Sequence, residues 1–60
     1  MDLEKAEYIV TMIDGDYAHL RRREDPAAED ILVARALLPQ EIREGSVLLR
    51  EFLMYTLLER

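Results

Sequence analysis

From Ala6 to Leu20 the chain carries two β-prone runs, Tyr-Ile-Val-Thr-Met-Ile and Tyr-Ala-His-Leu, that meet at Asp14-Gly15-Asp16. An Asp-Gly step between such runs is among the stronger short-range hairpin signals, because both residues tolerate the positive φ of a type I′ turn. The first strand is expected from Glu7 to Ile13. Strict alternation sorts it into Ile9, Thr11 and Ile13 on one face and Tyr8, Val10 and Met12 on the other. Apolar residues on both faces point to a strand covered on both sides, or one whose outer face meets a partner. The second strand is expected from Tyr17 to Arg23. Ala18 and Leu20 then point one way, and Tyr17, His19 and Arg21 the other.

Glu24 to Asp30, acidic and interrupted by Pro26, reads as a solvated loop. Ile31 to Leu38 supports two readings. As a strand it offers Ile-Leu-Val-Ala, β-branched at Ile31 and Val33. As a helix it has Asp25 as N-cap, Pro26 at the first helical position and apolar residues at Ile31, Leu32, Ala34 and Leu38. Leu38 to Gly45 reads as a turn or a short helical turn, with Ile42 pinned inward and Gly45 ending it.

Ser46 to Leu58 is strongly apolar. It reads either as a helix capped by Ser46 or as two strands, about Val47 to Phe52 and Met54 to Leu58. No Gly, Pro or Asn marks a turn between those two strands.

Composition narrows the classes. Sixty residues make one small domain, with Met1 to Lys5 expected to fray. A chain this short buries only about 60% of its unfolded surface. Such cores rarely supply more than roughly 3–5 kcal/mol without a staple. With no cysteine there is no disulfide framework and no thiolate zinc site, which suits a reducing cytoplasm. A net charge of −5 works against phosphate backbones and anionic membranes. No apolar run nears the ~20 residues that span a bilayer, and the start lacks the pattern of a secretory signal. A cytoplasmic protein is expected, without membrane contact. Half the residues are apolar, which leaves apolar surface for a partner or a second copy.

Two segments carry a family resemblance. Tyr8-Ile9-Val10, Ile13, Gly15-Asp16-Tyr17-Ala18 and Leu20 form the first; Val33, Leu37-Leu38-Pro39, Ile42, Glu44-Gly45 and Val47-Leu48 form the second. Together they resemble a small bacterial family, domain of unknown function 3006, over nearly the whole chain from Tyr8. The resemblance implies a five-stranded, SH3-like small β-barrel with one short helical turn. It favours strands over the alternative α+β fold, an N-terminal hairpin followed by a C-terminal helix. It implies no catalytic chemistry. The chain departs from the family pattern at Thr11, Met12 and His19, and its closing segment is more apolar, with Leu53, Met54 and Leu57.

Candidate chemistry is thin. His19 has no second histidine or cysteine to share a metal. Asp14-Gly15-Asp16 lacks the spaced oxygen donors of a calcium loop. Asp25, Glu29 and Asp30 lie in one solvated loop, where nothing raises one pKa for acid–base work. No catalytic, metal-binding or cofactor-binding residues are assigned, and no enzyme is expected. The expected function is a non-catalytic protein-interaction or self-association module. Its contact surface is Phe52, Leu53, Met54 and Tyr55, because alternation sends two of four consecutive apolar residues outward and a final strand leaves an open edge. The alternative is a nucleic-acid-binding small barrel using Tyr17, Arg21 and Arg23, the only basic-aromatic cluster.

Overall fold

The computed structural model describes residues 5–25, 27–52 and 54–59. Met1 to Glu4 of the start expected to fray (Met1 to Lys5), the Pro26 position of the loop and the Leu53 position of the contact surface lie outside the described residues.

Five strands, β1 (Ala6–Asp14), β2 (Tyr17–Arg22), β3 (Ile31–Ala34), β4 (Val47–Glu51) and β5 (Met54–Glu59), form one antiparallel sheet in the order β3-β2-β1-β4-β5. Among the described residues a single 3-10 turn, Arg35–Leu37, interrupts them. The fold is all-β, and the helical readings of Ile31 to Leu38 and of the C-terminal segment do not hold. The short helical turn falls just before Leu38 to Gly45, where it was expected, because Leu38 N–H bonds back to the Arg35 carbonyl at 3.0 Å. Asp25 caps no helix; its side chain accepts the Ala27 N–H at 3.3 Å in a local turn. No ladder joins β3 to β5 among the described residues, so those two strands are the edges of the sheet.

Gly15 closes the first hairpin at φ +62, with open space where a Cβ would stand. Glycine is needed there for its backbone freedom alone. Further along β1 a bulge between Val10 and Met12 changes the register, pairing Val10 with Leu20 but Met12 with His19. An extra residue reverses the alternation beyond it. The expected face assignment is therefore corrected. Ile13 joins Tyr8 and Val10 on the core side, while Met12 turns outward and is exposed. The assignment for β2 holds, with Ala18 and Leu20 fully buried.

The core gathers Ala6, Tyr8, Val10, Ala18, Leu20 and Leu48 from one face of the sheet. Leu38 and Ile42, from the segment joining β3 to β4, plug it from one side. That segment is fastened to β1 where β4 has not yet begun: Gly45 N–H bonds to the Val10 carbonyl at 2.8 Å, and Val10 N–H to the Ser46 carbonyl at 2.9 Å. Ser46 is fully buried, and its hydroxyl accepts the Arg43 N–H at 2.9 Å. Each fully buried leucine contributes about 1.5–3 kcal/mol by leaving water. In a core this small Leu20 and Leu48 therefore carry much of the stability.

Candidate functional site

The C-terminal hairpin builds an exposed apolar surface. Glu51 pairs with Met54, leaving two residues for the turn. Phe52 takes φ +57, a left-handed conformation that a two-residue hairpin demands and that non-glycine residues adopt at a cost. The strand pair expected here is present although no turn residue marks it. The geometry forces Phe52 out of the sheet, leaving it 61% exposed, and Met54 beyond it is 68% exposed.

Tyr55 turns the other way. It packs edge-on against Tyr8, with ring centroids 6.4 Å apart and planes at 64°, and supports the core. Of the expected contact surface, Phe52 and Met54 thus stand outward and Tyr55 inward. Leu58, 46% exposed, joins the outward pair from the same strand. β5 contains no Pro or Lys, and Glu59 is its one charged residue. Its one irregularity is an extra residue at Leu58, where the register with β4 shifts between Val47 and Leu48; from Met54 to Leu57 the edge is regular.

The opposite edge, β3, carries a second apolar rim that sequence reasoning missed. Leu32 sits across from His19 on the outer face, and both Leu32 and Leu37 are largely exposed. The signal was present in the alternation: if Val33 faces the core, Leu32 cannot. Between β3 and the C-terminal hairpin runs an open groove of about 440 Å³, lined by Leu32, Val33, Ala34, Leu37, Arg50 and Tyr55. Arg50 pairs in register with both Ala6 and Tyr55. It has no ion-pair partner among the described residues.

On the outer face a polar cluster holds the acidic loop to the sheet. Asp30 Oδ1 accepts from Arg21 Nε at 2.7 Å, and Asp30 Oδ2 accepts from the Thr11 hydroxyl at 2.6 Å. The His19 carbonyl is also within 3.2 Å of that hydroxyl. One hydroxyl proton serves one acceptor at a time, and the shorter, charged contact is the stronger. The Thr11 hydrogen bond, then that of Arg21, holds the Asp30 carboxyl below its ordinary pKa; partial burial opposes them, and the charges of Arg21 and His19 add to the lowering. Asp30 was expected in a solvated loop. Instead its side chain is only 22% exposed and serves as a latch.

The basic-aromatic cluster is divided by these contacts. Arg21 is held by Asp30, and Arg23 by Glu7 at 2.9 Å. Tyr17 stands half-exposed at the far end of β2. Among the described residues no group of three or more His, Asp or Glu converges as a metal site would require. His19 lies beside Arg21 and the Asp30 latch rather than in a carboxylate-lined cleft. No helix of the described residues is long and apolar enough to cross a membrane. No family model, no curated protein and no solved structure matches the chain.

Proposed function

We propose that this protein is a non-catalytic interaction module that associates with a second copy of itself along the free edge of β5. One observation carries the reading: β5 is an edge strand whose outward residues, Met54 and Leu58, are exposed and apolar, and the Phe52 turn extends that surface. The stretch is self-complementary. An antiparallel β5–β5 pairing with its two-fold at Thr56 sets Tyr55 opposite Leu57 within the regular part of the strand and brings Met54 towards the bulged Leu58, so no charge meets its like between Met54 and Leu58. The resemblance to domain of unknown function 3006 agrees with such a role in so far as it brings no catalytic residue with it.

The nucleic-acid alternative is less well supported. Two of its three residues, Arg21 and Arg23, already have their charge met by carboxylates, and the net charge of −5 repels phosphate.

Sedimentation equilibrium over a wide concentration range tests the proposal. Wild-type protein should shift from monomer to dimer, more readily as salt screens the net negative charge. Met54→Lys, a change at an exposed position, should weaken that association at least roughly tenfold by placing two cations beside the seam. A monomer at every concentration and salt would overturn the proposal, as would an unchanged dimer in Met54→Lys.

A further inference from the structure

The groove between β3 and the C-terminal hairpin shares Tyr55 with β5 but has a more particular chemistry than the β5 edge. Its walls are aliphatic, from Leu32, Val33, Ala34 and Leu37, with the Tyr55 ring opposite. One cation, Arg50, stands in that lining. Arg50 has no ion-pair partner among the described residues, a state it shares with Arg22, Arg35 and Arg43, but of these four it alone lines the groove. A guanidinium beside apolar walls is poorly screened, so its attraction for an anion exceeds that of a fully solvated arginine. The same groove is bordered by the free backbone edge of β3, whose N–H and C=O groups on that side meet no other strand of the sheet.

We infer that this groove binds an extended peptide segment, apolar and bearing one carboxylate, which pairs along the β3 edge and places its acid on Arg50. Each component has its match. The strand edge supplies main-chain hydrogen bonds, the aliphatic wall takes alternate side chains, and the guanidinium fixes register through the acid. A bare apolar strand satisfies the first two and leaves Arg50 unpaired. A phosphate or nucleotide satisfies the last alone. The inference does not rest on self-association, because the acid is recognised by Arg50 of β4 and the main chain by β3, although Tyr55 of β5 forms the opposite wall.

The test uses a blocked, serine-flanked Leu/Val hexapeptide with one central glutamate, and its glutamine counterpart, titrated into the full chain by calorimetry and amide NMR. The glutamate peptide should bind about tenfold more tightly than the glutamine one, the difference expected of one charge-assisted contact. The amides of Leu32, Val33 and Ala34 should shift on binding. Arg50→Gln should erase the preference between the two peptides, and Arg50→Lys should retain part of it. Leu37→Glu, on the exposed rim, should weaken both peptides while leaving the spectrum of the free protein folded. In Met54→Lys the preference should persist, which separates this site from the dimer edge. Equal affinity for the two peptides, no shift along β3, or a preference that survives Arg50→Gln would each overturn the inference.

Discussion

Thr11 Oγ1 lies 2.6 Å from Asp30 Oδ2, joining the bulged residue of the central strand to a loop 19 positions away. The bulge and the loop explain each other. An extra residue in β1 is left without a ladder partner. The hydroxyl it presents is the group that, with Arg21, brings the acidic loop down onto the sheet just before β3 begins. Local turn bonds, Asp25 N–H to the Arg22 carbonyl and Ala28 N–H to the Asp25 carbonyl, shape the first part of the loop, and the latch ties its end to the sheet.

The latch gives stability a defined pH dependence. Asp30 is held below its ordinary pKa in the folded state, first by Thr11 and then by Arg21. A depressed carboxylate stabilises the fold above its unfolded pKa, and that contribution fades as pH falls through roughly 4. Thermal unfolding of Asp30→Asn and Thr11→Val should show lower midpoints than wild type at pH 7. The gap should narrow as the pH falls below the ordinary carboxylate range toward the lowered pKa of the folded Asp30 carboxyl. Curves that stay parallel from pH 7 to pH 3 would remove Asp30 from this role.

The two hairpin turns respond in opposite directions to changes in backbone freedom. Gly15→Ala places a Cβ at φ +62 in open space, so only the backbone cost remains, about 1 kcal/mol of stability. Phe52 already bears that cost at φ +57 while its ring is mostly in water. Phe52→Gly or Phe52→Asn should therefore raise stability by up to about 1 kcal/mol in chemical denaturation. A loss of similar size would show that the Phe52 ring contributes more to the monomer than its exposure implies.

Core truncation should be decisive in so small a protein. Leu20 and Leu48 are both fully buried. Leu→Ala at such sites costs about 2–5 kcal/mol, against a total of roughly 3–5 kcal/mol for a domain of this size. Leu20→Ala should lose its cooperative melting transition by circular dichroism. Leu32→Ala, at an exposed position of the neighbouring strand, should keep it.

The legible parts of this fold are those whose cause is local. Asp14-Gly15 announced its hairpin because the positive φ it needs is written in residue type. Ile31 to Ala34 was not decided by its own residues: the β-branched Ile31 and Val33 allow a strand, but local propensity leans helical, and only pairing with β2 makes it one. The Phe52 turn was not marked, since the conformation that usually selects glycine or asparagine is imposed here on a phenylalanine by the pairing of β4 with β5. The bulge near Thr11 left no composition signal either, yet it reversed Met12 and Ile13. At the contact surface, a run of apolar residues showed that something faces outward but not which members. Packing of Tyr55 on Tyr8 decided that. The Asp30 latch and the Arg50 groove join residues distant in sequence, and alternation within one strand carries no information about either.

The free edge of β5 is the feature on which the functional account turns, and backbone hydrogen exchange reads it directly. Exchange of the Met54 to Leu58 amides should be compared at low and high protein concentration. Protection should grow with concentration along β5 while the Ile31 to Ala34 amides of the opposite edge stay unchanged. Identical exchange along β5 at every concentration would contradict the account.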